Sequence, residues 1–175
     1  RTSYTYGKAI NENDEPSRGG SMFNHPSVRY RNRALAGFDR PHNFHAGFRY
    51  ELPFGQGKPY ANGPGLVSFI AGGWQVNGIF SVFSGRPFSV TASGASLNMP
   101  GNAQTADLVK TAVTKLGKVG DDGTWFDTSA FARPTGARFG TVGRNTMRGP
   151  TLVNTDLSLF RSFALTERFN LQLRA

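Results

Sequence analysis

Several short patterns carry side chains that could bind a metal ion. His42 and His45 are three residues apart, and on an extended strand this spacing points the two imidazoles to opposite faces of a sheet. Asp121, Asp122 and Asp127 offer carboxylates for Ca²⁺, but their spacing differs from that of an EF-hand, and Asp-Gly pairs are common in surface turns. The chain has no cysteine. We therefore predict no metal site and no cofactor.

Patterns for enzymatic chemistry are also missing from the sequence. Residues 55–58 read Gly-Gln-Gly-Lys, without the spacing of a phosphate-binding P-loop. The segments around Ser84 and Gly143 do not have the form of a nucleophile elbow, and no serine has a base at a characteristic spacing. We predict that the chain is not an enzyme.

The composition is typical of a β-protein with long loops. Only 38% of the 175 residues are hydrophobic, whereas 13% are aromatic, and 22 glycines are scattered along the chain. No apolar run approaches the roughly 20 residues of a membrane-spanning helix. A role in a membrane would therefore have to use β-strands.

The net charge of +9 raises the question of nucleic-acid binding. Lysine and arginine are spread along the whole chain, and their densest group, Arg29–Arg33, lies in a polar stretch between two strands. A nucleic-acid domain would gather its charge on one face beside stacking aromatic residues. We predict no nucleic-acid partner and consider anionic groups such as lipopolysaccharide phosphates instead.

Alternation of apolar and polar residues predicts five strands. In the clearest of them Phe44, Phe48 and Tyr50 point to one face, and His45 and Arg49 point to the other. The predicted strands lie near residues 2–8, 41–52, 74–91, 155–163 and 168–175. The connections are a long loop at 11–38, a shorter break at 53–73, a long loop at 93–150 with a weakly helical stretch at 108–116, and a tight turn at 164–167.

This alternation of long and short connections favours an up-and-down barrel that spans a membrane. Its apolar face would contact lipid, aromatic residues near the strand ends would form interfacial girdles, and its polar face would line a wet lumen. The girdle candidates are Tyr4, Tyr6, Phe54, Trp74 and Phe163. The residues predicted to face the lumen are Asn43, His45, Arg49, Glu51, Gln75, Asn77, Gln172 and Arg174.

The fold prediction is thus all-β, a fragment of a transmembrane up-and-down β-barrel with about five antiparallel strands and long extracellular loops. Single-chain barrels have about eight strands or more, so five strands cannot close. The chain also starts without Met at Arg1 and stops in mid-pattern at Ala175. We therefore expect it to be a piece of a larger protein.

Two arginines are the candidates for binding a ligand. Arg144 and Arg148 lie in a segment rich in glycine and asparagine that leads into a strand. They would either lean into the lumen or the loop crown and contact a ligand, or pair with Asp156 or Glu51 and order the loop. We prefer the second role. Asp39 and Arg40 are likewise predicted to form an internal ion pair where the second strand begins.

Five motifs, in order along the chain, resemble the C-terminal barrel of TonB-dependent outer-membrane receptors. The nearest group is the Oar-like one, which carries a carboxypeptidase-regulatory-like domain ahead of its plug. The resemblance covers nearly the whole chain, and five ordered motifs are more specific than any one of them. The motifs are Phe38–Phe44 running into Tyr50–Gly55, Gly72–Gly78 with Ser84–Phe88, Trp125–Phe131, Gly143–Pro150 and Asp156–Phe160.

The resemblance implies a part of the barrel wall of a transporter in the bacterial outer membrane. Such a receptor imports a scarce ligand, driven by the TonB complex acting on the plug, while the wall supplies passage, lipid contact and extracellular capture loops. The implied partners are outer-membrane lipid and lipopolysaccharide, the TonB complex through the plug, and an unidentified extracellular ligand. Two alternatives stay open: an outer-membrane adhesion or surface-organising barrel without import, and a soluble β-sandwich binding module.

Overall fold

The computed structural model describes residues 1–14, 22–95, 97–120, 123–164 and 170–175. Among these residues the regular structure is mainly β-strand, with one α-helix, α1 (Leu66–Ala71), and two short 3-10 turns. The strands in chain order are β1 (Thr2–Tyr6), β2 (Ile10–Asn11), β3 (Ala34–Leu35), β4 (His42–Glu51), β5 (Trp74–Phe83), β6 (Pro87–Phe88), β7 (Asp107–Leu108), β8 (Phe131–Ala132), β9 (Met147–Arg148), β10 (Leu152–Ala164) and β11 (Asn170–Arg174).

The long strands form one antiparallel sheet of five strands in the order β1-β4-β5-β10-β11. Each long strand lies next to the long strand that precedes or follows it in the chain, which is the up-and-down arrangement of a barrel wall. The prediction of an all-β fragment with about five antiparallel strands is therefore confirmed.

Backbone hydrogen bonds set the register of this sheet. The Gly47 amide donates to the Arg1 carbonyl at 2.7 Å, and the Leu52 amide donates to the Trp74 carbonyl at 2.9 Å. Further along, the Ser162 amide donates to the Gly73 carbonyl at 3.3 Å. Because side chains alternate along a strand, this register collects the apolar residues on one face. The apolar residues on this face are Tyr4, Phe44, Ala46, Phe48, Tyr50, Trp74, Val76, Phe80, Val82, Leu157, Leu159, Phe163, Leu171 and Leu173.

The chain divides into two compact units. The sheet unit comprises Arg1–Tyr4, Phe44–Val82 and Val153–Ala175. Within it, the Phe48 ring and the Leu157 side chain cover Gly78, where a side chain would collide with both. Aromatic cover of a strand glycine restores packing that the missing side chain cannot provide.

The loop unit comprises Thr5–Asn43 and Phe83–Leu152. It contains three two-stranded sheets, β2-β3, β6-β9 and β7-β8. A small hydrophobic cluster of Met22, Phe23 and Val28 packs against Ala103 and Phe139. The predicted long loops thus contain short, paired strands and a small hydrophobic cluster of their own.

Two predicted elements differ from the structure. The strand predicted over 74–91 ends at Phe83, because β6 leaves the sheet and pairs with β9 instead. No helix forms over 108–116: Leu108 pairs with Phe131 in the β7-β8 ladder, which holds the chain extended. The predicted strand 155–163 is longer, Leu152–Ala164. The predicted tight turn and the start of the last strand fall mainly at 165–169, outside the described residues.

Candidate functional site

Arg144 and Asp14 form a buried ion pair in the loop unit. Arg144 Nη1 lies 2.9 Å from Asp14 Oδ2, and only 1% and 2% of the two side chains are exposed. Arg144 Nη2 also donates to the backbone oxygen of Asn11 at 2.8 Å and to its Oδ1 at 2.6 Å. Burying two charges is costly unless the pair is supported by further hydrogen bonds of this kind.

Asn11, Asn145 and Gly37 satisfy the rest of the Asp14 carboxylate. Asn11 Nδ2 donates to Asp14 Oδ1 at 2.6 Å. Asn145 Nδ2 donates to Asp14 Oδ2 at 3.0 Å and to the Leu35 carbonyl at 2.7 Å. The Gly37 amide lies 3.0 Å from both carboxylate oxygens. Asn145 has a φ of 54°, a left-handed conformation that asparagine tolerates better than most residues. We call Asn11, Asp14, Arg144 and Asn145 the Arg144 cluster; it ties distant parts of the loop unit together.

This geometry gives Arg144 a structural role. Asp156 and Glu51 are the partners predicted from the sequence, but the partner is Asp14, which lies 130 positions away along the chain. No local pattern connects two residues at that separation. The buried guanidinium has no accessible surface to offer a ligand.

Arg148 holds a second buried carboxylate. It pairs with Asp39, and its Nη1 donates to the Gly85 carbonyl at 3.1 Å. The predicted pairing of Asp39 with Arg40 is wrong: Arg40 donates to the Ser84 carbonyl at 2.9 Å instead. Because 33% of the Arg148 side chain is exposed, Arg148 stays a candidate for ligand contact.

A cavity of about 440 Å³ lies beside Arg148 in the loop unit. Trp125 forms part of its wall, because its Nε1 donates to the Arg148 carbonyl at 2.6 Å. Lys115 Nζ lies 4.3 Å from the centre of the indole ring, a cation–π contact. The volume falls within the range of small-molecule sites. The lining includes Ser84, Lys115, Trp125, Phe126, Met147 and Arg148.

Two paired segments hold the aromatic wall of this cavity in place. Phe88 of β6 pairs with Met147 of β9, and Lys115 forms a β-bridge with Phe126. The Phe126 ring lies 5.7 Å from that of Phe88 and 5.5 Å from that of Phe131. Residues Trp125–Phe131 are recognisable in the sequence as a motif, but the sequence does not show that Trp125 and Phe126 line a cavity.

The polar face of the five-stranded sheet is a second candidate surface. Gln75 Nε2 donates to Asn77 Oδ1 at 2.6 Å, and Arg174 Nε donates to Gln172 Oε1 at 2.9 Å. In a closed barrel this face would line the lumen, which remains a prediction. The register places all eight predicted lumen-facing residues on it, namely Asn43, His45, Arg49, Glu51, Gln75, Asn77, Gln172 and Arg174.

A protein-family model described as "Outer membrane beta barrel domain" matches residues 1–175. The chain belongs to this family. The protein is accordingly a component of the bacterial outer membrane, as predicted, and the soluble β-sandwich alternative is set aside. Neither the search of curated proteins nor the search of solved structures found a match.

Membership in the outer membrane barrel family explains the exposed apolar face of the sheet. Phe48, Leu157 and Leu171 have about half or more of their surface exposed, at 51%, 66% and 48%. In water such a face would be an association hazard, whereas in a bilayer it is covered by lipid chains. The sheet therefore supplies a segment of the barrel wall.

Among the described residues of the barrel domain, no group of three or more His, Asp or Glu side chains is arranged to hold a metal ion. Asp121 and Asp122 lie outside those residues. Asp127 instead accepts from Lys110 Nζ and the Ser129 hydroxyl, both at 2.6 Å. None of the helices described is both long and apolar enough to cross a membrane.

Three carboxylates make the loop unit of the barrel domain sensitive to acid. Burial by itself would raise the pKa of Asp14, but the hydrogen bonds from Asn11, Gly37 and Asn145 and the charge of Arg144 hold it below its ordinary value. The Lys110 and Ser129 hydrogen bonds lower the pKa of Asp127 to about 2. The Arg138 hydrogen bond likewise lowers the pKa of Asp107.

Because these pKa values are depressed on folding, their stabilisation is present above the unfolded-state pKa of about 4 and is lost as the pH falls toward about 2. We expect the fluorescence of Trp125 to change as the pH falls from about 4 to about 2. The Asp14→Asn variant should show a shallower dependence, since one of the titrating groups is gone. An identical pH profile in that variant would contradict a contribution from Asp14.

Proposed function

We propose that this barrel domain is part of a TonB-dependent receptor that captures an extracellular ligand and imports it across the outer membrane. The five ordered motifs that resemble the Oar-like receptors support this proposal. The observation that carries it is the ordered loop unit with its lined cavity. Binding residues are commonly placed on loops that a rigid scaffold holds in one conformation. A passive pore has no need of such an arrangement.

The cavity chemistry favours an anionic ligand of small-molecule size. Lys115 and the exposed third of Arg148 provide positive charge, and the Trp125 indole provides a flat apolar wall. Siderophores, acidic glycans and acidic peptides all fit this description. In this proposal the loop unit supplies selectivity, and the polar face of the sheet supplies the aqueous path.

Import is tested by separating binding from accumulation. Cells that express the full-length protein, with and without a functional TonB complex, are given labelled ferric siderophores, glycan fragments and peptides in turn. We expect one probe to bind in both strains and to accumulate only when TonB is functional. Accumulation that does not depend on TonB would contradict the proposal. Surface binding without accumulation in either strain would favour the adhesion alternative.

Replacing Lys115 by Gln should weaken binding of that probe about tenfold or more, the typical loss for one charge-assisted contact. Lys115 is exposed, and its described contacts are the ring contact with Trp125 and a backbone bridge, so the fold should persist. Lys118→Gln is the matched control, because Lys118 is also exposed in the same connection but does not line the cavity. Equal affinity in the two variants would remove Lys115 from the site.

A further inference from the structure

The helix α1 carries an apolar surface that no described residue of the sheet unit covers. Leu66, Val67, Phe69 and Ile70 are each between 60% and 77% exposed. The sequence of α1 contains no charged residue. Four such side chains on six residues would be unfavourable in water. They require an apolar surrounding.

The helix α1 lies against the apolar face of the sheet. The Phe69 ring lies 5.8 Å from the ring of Phe163, and Trp74 Nε1 donates to the Ile70 carbonyl at 3.0 Å. Phe163 and Trp74 both belong to the face that also carries Leu157. The helix therefore extends the surface that the family assignment places in contact with lipid.

A buried cation lies on the same face beside α1. Arg161 is 8% exposed, and its guanidinium carbon lies 4.0 Å, 5.2 Å and 5.6 Å from the ring centres of Phe163, Trp74 and Phe69. Its Nη2 donates to the Phe69 carbonyl. Within the described part of the chain its Nε has no hydrogen-bond partner and its charge has no carboxylate partner. A cation on the lipid side of a barrel is costly unless an anion joins it.

Arg161 opens into a cavity of about 620 Å³. Besides Arg161 and Phe69, the lining includes the polar residues Gln56 and Ser68 and the glycine backbone at 72–73. The site thus combines one positive charge, several neutral hydrogen-bonding groups and an apolar wall. A phospholipid headgroup with its attached chains has the complementary chemistry.

The strand connections indicate the side of the membrane on which this site lies. The connection 52–73, which contains α1, and the connection 165–169 leave one end of the sheet, and the longer connections 7–41 and 84–151 leave the other. Outer-membrane barrels have their short turns on the periplasmic side. The site therefore belongs to the periplasmic leaflet, which is made of phospholipid.

We propose that α1 lies in the periplasmic leaflet of the outer membrane and that Arg161 binds the phosphate of one phospholipid there. The apolar side chains of α1 contact the acyl chains, and Phe69, Trp74 and Phe163 shield the ion pair from water. The bound lipid supplies an anion to Arg161, which has no carboxylate partner among the described residues. The lipid site requires only that the chain is an outer-membrane barrel domain, whether or not the barrel imports a ligand. A failure of the lipid site would therefore leave the proposed import function untouched, and the reverse also holds.

The lipid site is tested by retention of phosphatidylglycerol. The full-length protein, folded in detergent and checked by its circular dichroism, is incubated with this lipid, and bound lipid is counted by native mass spectrometry. We expect Arg161→Gln to reduce retention at least about tenfold and Arg161→Lys to keep part of it, as befits a charge-assisted contact. Arg174→Gln, on the opposite face of the adjacent strand, should retain lipid like the unmodified protein.

Equal retention in Arg161→Gln and Arg174→Gln would overturn the lipid site. Displacement of the lipid by millimolar inorganic phosphate would overturn it as well, because a lipid held by both its headgroup and its chains should resist a free anion.

The position of α1 is tested without altering Arg161, in case that variant does not fold. A nitroxide label is attached at Ile70→Cys, or at Lys58→Cys as a control in the same connection, in protein reconstituted into phosphatidylethanolamine and phosphatidylglycerol vesicles. We expect the label at position 70 to collide more with oxygen than with a water-soluble nickel complex, and the label at 58 to show the reverse. Preferential collision with nickel at position 70 would overturn the proposal.

Discussion

Replacing Arg144 by Ala should lower the free energy of unfolding of the loop unit by about 3–5 kcal/mol. This is the usual cost of removing one partner of a buried ion pair. The Asp14 carboxylate would remain buried beside Asn145 and Gly37 without its counter-ion. The measurement is hydrogen exchange of the Gly37 amide, which donates to that carboxylate. We expect its protection to fall by roughly two to four powers of ten.

Two comparisons separate the buried pair from an ordinary surface contact. Arg138→Ala breaks an ion pair with Asp107 in which the arginine side chain is 48% exposed, so the loss of stability should be much smaller than that for Arg144→Ala. The double variant of Asp14→Ala and Arg144→Ala should recover part of the stability, because no unpaired charge is left behind. Equal losses for Arg144→Ala and Arg138→Ala would contradict the importance of the Arg144 cluster.

Replacing Gly85 by Ala should destabilise the loop unit by about 3 kcal/mol or more, at the upper end of overpacking effects. The added methyl carbon would collide with the Gly149 carbonyl oxygen and lie 2.8 Å from that of Pro150. Both atoms belong to the backbone, and the Gly149 amide is itself bonded to the Arg86 carbonyl at 2.9 Å. The two segments can make room only by separating, which would disrupt the β6-β9 pairing and the adjacent cavity.

The effect of Gly85→Ala can be followed by the fluorescence of Trp125, which lies on the same cavity. We expect a red shift and earlier thermal unfolding of the loop unit, while the circular dichroism of the barrel is retained. Gly7→Ala is the matched control, because nothing lies within 4 Å of the added carbon there and Gly7 does not have a positive φ. That variant should be neutral or slightly stabilising. If Gly85→Ala were as stable as Gly7→Ala, the close approach of Gly85 to the backbone of Gly149 and Pro150 would not be important for stability.

The two glycine-containing motifs around these positions show which structural features could be predicted from the sequence and which could not. The segments 84–88 and 143–150 were noted because of their order and their likeness to a receptor family. That they pair with each other, through Phe88 and Met147, could not be read from either segment. A two-residue ladder has no period to detect, and its partner is chosen by the rest of the loop unit.

The sequence by itself determined the sheet of this barrel domain, its two faces and its class. Alternation with a period of two is a local property, so Phe44, Phe48 and Arg49 already define the apolar and the polar side of the sheet before any contact is known. The tertiary structure decided the rest. The burial of Arg144 against Asp14, the cavity beside Trp125 and the aromatic surround of Arg161 join residues far apart in the chain. Such contacts depend on how irregular loops fold back on themselves, and long-range pairing of this kind leaves no periodic trace in the sequence.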